Sequence, residues 1–108
     1  MQEHIEENRQ HSALPKELFD DLAKRLKSGP LRATVELSSY RSNTTLIGNL
    51  TDLWRSVLNG KDYDFLSLVV TFAWIKKVYR TYPLEAVSTI QIFGYGENKD
   101  KFVTVYSR

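Results

Sequence analysis

DYDFLSLVVTFAWIKKVYRTY, residues 62–82, is the longest apolar run in the chain and is closed by Pro83. Its β-branched and aromatic residues, among them Val69, Val70, Phe72, Trp74, Ile75, Val78 and Tyr79, allow a strand by propensity. A strand rarely exceeds about ten residues, however, and no turn residue interrupts the run, so its length predicts a helix over 62–82. Asp62 or Asp64 would cap the N-terminus of that helix. Lys76, Lys77 and Arg80 would lie favourably near the C-terminal end of its dipole.

Turned at about 100° per residue, this helix does not keep one polar side. In its first half Asp64, Ser67 and Thr71 share a narrow polar strip and apolar residues cover the rest. In its second half Lys76, Lys77 and Arg80 lie over the continuation of the earlier apolar face, while Trp74, Ile75, Val78, Tyr79 and Tyr82 fall opposite. The apolar face changes side near Ala73. Three readings follow: a first half buried all round, a second face that meets another chain, or a kinked helix. On the second, Trp74, Ile75, Val78, Tyr79 and Tyr82 are the partner-interface anchors, because aromatics inside an apolar patch dominate binding energies.

Upstream, Leu14, Leu18, Leu22 and Leu26 recur every four residues beside Phe19, with charged residues on the other side. Pro15 suits a first turn and Lys27-Ser28-Gly29-Pro30 a stop, which predicts a helix over 15–27. Residues 31–40 alternate, with Leu31, Ala33, Val35 and Leu37 on one face, and predict a strand buried on one side. After the turn residues Arg41 to Thr44 there are two readings. Residues 45–47 form a short second strand with a helix starting near Asn49 or Thr51, or the helix begins at Thr44. Gly48 costs a helix interior about 1 kcal/mol relative to Ala, which favours the hairpin. Either way Asn59-Gly60 reads as a helix C-terminus. Downstream, 87–93 and 102–106 are β-rich runs separated by a Gly/Asn/Asp cluster and predict a hairpin with a long loop.

The expectation is therefore an α+β fold: one small domain over 14–108, an antiparallel sheet of three to four strands with about three helices packed on it, and the helix 62–82 at its centre. Residues 1–13 are polar and predict a flexible arm. A chain of 108 residues buries roughly two-thirds of its unfolded surface, enough for one core. With 42% hydrophobic and 26% charged residues, wholesale disorder is excluded.

The chain has no cysteine, which removes disulfides, thiolate metal sites and cysteine nucleophiles and fits a reducing compartment. The N-terminal residues lack the apolar segment of a signal peptide, and the run 65–75 is half of the ~20 residues that a bilayer requires. The expectation is a soluble, cytoplasmic protein without membrane contact.

Candidate chemistry is sparse. His4, Glu7 and His11 would share a face if the arm were helical, but they lack an apolar anchor to fix ligand geometry, so they read as a solvated tail and no metal is expected. Both histidines lie in this arm, which leaves the serines and threonines without a base, and no GxSxG or SxxK spacing occurs. Adjacent carboxylates such as Asp20-Asp21 diverge on a helix. Gly94-Tyr95-Gly96 lies between predicted strands rather than ahead of a helix, so it is a turn and not a phosphate cradle. No cofactor is expected.

A net charge of +2 and a pI of about 8.9 are too mild to imply nucleic acid alone. Two basic sets nevertheless offer that alternative: Lys76, Lys77 and Arg80 at the end of the central helix, and Lys99 and Lys101 in the C-terminal hairpin near Phe93, Tyr95, Phe102 and Tyr106. The Gly-Phe-Gly-Phe-Val order of an RNA-recognition motif is not present. The sequence thus reads as a non-enzymatic protein-binding module, a regulator, inhibitor or adaptor that self-associates as a homodimer. Nucleic-acid binding is the alternative.

Overall fold

The computed structural model describes residues 12–38, 43–72 and 76–108. These form α1 (Lys16–Leu26), β1 (Leu31–Ser38), β2 (Asn43–Leu58), β3 (Lys61–Phe72), β4 (Lys76–Pro83), a 3-10 turn (Leu84–Ala86), β5 (Val87–Phe93) and β6 (Phe102–Ser107). All six strands belong to one sheet, in the order β4-β3-β2-β1-β5-β6. Every neighbouring pair is antiparallel.

This architecture overturns the expected α+β arrangement of about three helices on a sheet of three to four strands. The helix expected over 62–82 is the β3–β4 hairpin, with Phe72 opposite Lys76 and Phe65 opposite Pro83. The helix expected to end at Leu58 is the second half of β2. The physical reason lies at Asn59-Gly60. Both residues have positive φ, 52° and 75°, and Leu58 pairs with Lys61 across them. A two-residue loop of this kind matches the right-handed twist of its strands, so Asn-Gly here opens a hairpin rather than closing a helix. Beyond it the alternation is clear: Asp64, Leu66, Leu68 and Val70 are buried, while Tyr63, Phe65, Ser67 and Val69 are half-buried. Both sets contain apolar residues, which hides the two-residue period in a hydropathy count. The two halves whose apolar faces differ belong to two strands, β3 ending at Phe72 and β4 starting at Lys76; Ala73 itself lies outside the described residues.

The helix expected over 15–27 is present as α1, the strand expected over 31–40 as β1, with residues 39 and 40 outside the described residues, and the C-terminal hairpin as β5 and β6. Of the expected arm, residues 1–11 lie outside the described residues. Ser12 is buried, and its hydroxyl donates to the Asp62 carbonyl at 2.9 Å. Among the described residues, no helix is long and apolar enough to cross a membrane.

Strand β2 is the corner of the fold. Its residues 43–50 pair with β1 and its residues 48–58 with β3, apart from Thr51, the extra residue where the register shifts between Leu50 and Asp52. That bulge keeps both Leu50 and Leu53 inward although three positions separate them. Gly48 lies at the overlap, where a Cβ would stand 2.3 Å from the Val69 carbonyl oxygen. Only glycine lets the two backbones approach so closely. A similar shift between β1 and β5 leaves Ser88 as an extra residue. Its hydroxyl donates to the Glu36 carbonyl at 3.2 Å and to the Glu36 carboxylate at 3.0 Å.

The connection from β4 to β5 shows that the sheet curls. Three strands stand between them in sheet order, about 19 Å across if the sheet were flat. The chain from Pro83 to Val87 reaches at most about 14 Å. Curling closes the difference and wraps one face around a core of Ala33, Val35, Leu50, Leu66, Leu68, Val87, Ile90 and Ile92, with Leu84 of the crossover wholly buried among them. Helix α1 adds Leu22 to this core, with Leu18, Phe19 and Leu26 packed against it.

Two polar clamps hold α1. Ahead of its N-terminus, the Arg55 Nε donates to Asp64 Oδ1 at 2.7 Å and its Nη2 to Asp64 Oδ2 at 3.0 Å and the Leu14 carbonyl at 2.8 Å. The Leu14 N–H donates to Asp64 Oδ2 at 2.6 Å. The Asp64 side chain is fully buried, and Arg55 lies over the Phe19 ring at 4.6 Å. At the other end, the Tyr95 hydroxyl and the Arg25 Nε both donate to Asp21, with Arg25 over the Tyr95 ring at 4.4 Å. These two bonds, the one from Tyr95 being the larger influence, hold the Asp21 carboxyl below its usual value. Burial, then the bond to Asp21, pushes the Tyr95 phenol up.

Candidate interaction surface

Alternation in a strand sends every second side chain away from the core. Across β2, β3 and β4 the outward residues are Ile47, Asn49 and Trp54, then Phe65, Ser67 and Val69, then Lys77, Tyr79 and Thr81, as the register requires. Trp54 and Phe65 are direct partners whose rings stack 5.6 Å apart at 15°. Val69 stands opposite Tyr79, and Ser67 opposite Thr81 with their hydroxyls 2.9 Å apart. Ile47 and Tyr79 are 59% and 76% exposed. Large apolar side chains this open on one face of a sheet mark a surface suited to contact.

β4 is also an edge. It pairs with β3 through eight consecutive residues without a register shift, and on its other side with no strand among the described residues. β6, the opposite edge, is shorter, and its register with β5 shifts where Val105 is inserted between Thr104 and Tyr106. A bulged edge is a poor template for a further strand, whereas a regular one presents evenly spaced donors and acceptors.

The structure divides the expected anchors. Tyr79 points outward, while Val78 is half-buried on the core side and Tyr82 packs against the core. Trp74 and Ile75 lie outside the described residues. A five-residue face was expected from helical periodicity; the two-residue period of a strand places Val78 and Tyr82 on one side and Tyr79 on the other. The basic residues are divided too. Lys76, Lys77 and Arg80 are exposed along β4, and Lys99 and Lys101 are exposed in the loop that leads to β6, at the far edge in sheet order.

Exposed apolar residues occur elsewhere too: Val57 and Leu58 at the end of β2, and Phe93 of β5, whose ring meets Phe102 edge-on at 5.2 Å. Thr34, Glu36, Thr45, Thr89 and Gln91 line a shallow, open concavity of ≈ 340 Å³. Among the described residues, no three His, Cys, Asp or Glu side chains are grouped as a metal site would need. His4, Glu7 and His11 lie outside the described residues. Ile47, Trp54 and Phe65, which the sequence reading did not single out, come to the same face of the sheet as Tyr79 only through hairpin pairing. Asn59-Gly60 flanked by alternating residues was the signal that could have found them.

No protein-family model, curated protein or solved structure matches this chain.

Proposed function

We propose that the chain is a non-enzymatic protein-interaction module, a cytoplasmic regulator, inhibitor or adaptor, and that it self-associates through β4 and the outward face beside it. The observation that carries this reading is Tyr79, 76% exposed in the middle of an unbroken strand whose outer side has no partner among the described residues. An aromatic side chain left in water beside unpaired backbone groups is stabilised when a second strand covers both. The lack of cysteine suits a reducing compartment.

Sedimentation across a concentration series tests the proposal. The native chain should show a concentration-dependent dimer, and Tyr79→Glu should remain monomeric while unfolding as cooperatively as the native chain. A native chain that stays monomeric at every concentration overturns it.

A second reading rests on the three exposed cations of β4. Lys77 shares the outward face with Tyr79, and Lys76 and Arg80 are exposed on the same strand; cations near an exposed ring suit single-stranded nucleic acid. Its measure is retardation of an oligonucleotide that weakens with salt and with replacement of these three residues by Ser. Retention of a protein partner after nuclease treatment favours the first reading.

A further inference from the structure

We infer that the self-association proposed above, on which this inference rests, is a two-fold dimer in which β4 pairs antiparallel with β4 of a second copy, with Tyr79 opposite Tyr79 on the axis. A two-fold pairing that keeps the sheet continuous sets one residue opposite itself and fixes every other pair. The positions of the cations on β4 then select the register.

Centring on Lys77 or on Arg80 sets a cation against its own copy, and centring on Val78 sets Lys76 against Arg80. Like charges directly opposite are destabilising. Centring on Thr81 uses only residues 79–83, and Pro83 at its end has no N–H to donate. Centring on Tyr79 runs from Lys76 to Tyr82 with no like-charge pair. Lys76 then meets Tyr82, Lys77 meets Thr81, and Val78 meets Arg80. The two Tyr79 rings meet on the outward face, where an aromatic pair adds to the contact.

The same cations that blunt an edge against indiscriminate strands therefore leave one self-complementary register. Pairing of β4 with β6 instead would be head-to-tail and would build rings or open chains. The break at Val105 disfavours it. The dimer predicted here is a closed assembly with a continuous sheet of two copies.

The native chain contains no cysteine, so single cysteines report the register directly. Paired Cα atoms lie about 4.5–5.5 Å apart in an antiparallel ladder, within the reach of a disulfide. Under mild oxidation Tyr79→Cys should form a covalent dimer. Thr81→Cys alone should not, because its copy lies four residues along the strand, about 13 Å away. An equimolar mixture of Lys77→Cys and Thr81→Cys should form the mixed dimer; this pair keeps Tyr79 and so reads the register even where loss of the ring weakens association. A native dimer in which the mixed pair does not link, or in which Thr81→Cys links with itself as readily, overturns the register and leaves self-association standing. A monomeric native chain overturns both. Assemblies of the native chain larger than a dimer in sedimentation show a head-to-tail contact and remove the two-fold dimer.

Discussion

β3 and β4 are cut from one apolar stretch and pair with each other through eight residues, but they lie in different solvents. β3 has a strand on each side, and its Leu66 and Leu68 are 0% and 1% exposed. Among the described residues β4 has a strand on one side only, and its Tyr79 is open to water. Hydropathy does not separate the two, since valine and aromatic residues occur in both. Position in the sheet separates them, because an inner strand is covered by neighbours that an edge strand lacks. An inward apolar residue of β3, such as Leu66 or Leu68, therefore acts on stability. One on the outward side of β4 is available for association.

The sharpest way to break this comparison is at the ion pair that β3 buries. Arg55→Met should destabilise the chain by about 3–5 kcal/mol, because it leaves the Asp64 carboxylate buried without its cation. Asp64→Ala should cost less, near ~3 kcal/mol, because Asp62 stays within 3.5 Å of Arg55, which keeps some access to water. Urea unfolding of both variants checks the order. Costs under about 1 kcal/mol would mean that β3 is not the buried strand described. Arg55→Met combined with Asp64→Leu should regain part of the loss, since an apolar pair can replace a buried ionic one.

Gly48→Ala comes next. Its Cβ would meet the Val69 carbonyl at 2.3 Å, and backbone on both strands must move, at a cost of about 3 kcal/mol, the upper part of the range for overpacking. A thermal midpoint close to the native one would show that β2 and β3 separate freely there. On β4, by contrast, Tyr79→Glu should change stability by no more than about 0.5 kcal/mol while abolishing association. A large loss of stability in the monomer would place Tyr79 in the core and erase the distinction between the strands.

The smallest effect concerns the exposed clamp on α1, a foil to the buried one on β3. Asp21 has its carboxyl held below the ordinary value of 3.8. Its contribution to stability is complete above that value and is lost as pH falls through the lower folded-state value. Asp21→Asn should therefore narrow the gap to the native chain as the solution is acidified below 3.8, read as urea midpoints along a pH series. A gap that stays constant with pH would mean that the Asp21 charge contributes nothing. Tyr95 bounds the contact from the other side: its phenol is raised above 10.0, so its share is present below 10.0 and lost as pH rises through the folded-state value.

The amino-acid sequence by itself determined α1, β1 and the β5–β6 hairpin, because each carries a clean period: leucines every four residues in α1, alternation in β1, and a Gly/Asn/Asp loop between β5 and β6. It also contained Asn59-Gly60, the most local signal of the central hairpin. Over 62–82 both faces of each strand carry apolar residues, so the period is blurred and length misleads. Only the tertiary structure decided which of those apolar residues are core and which are surface. It did so by placing β3 between two strands and β4 at the edge, by pairing Arg55 with Asp64 across a two-residue turn, and by bringing the backbones of β2 and β3 together at Gly48. Burial belongs to a strand's neighbours in the sheet, and those neighbours are fixed by contacts between residues distant in the chain.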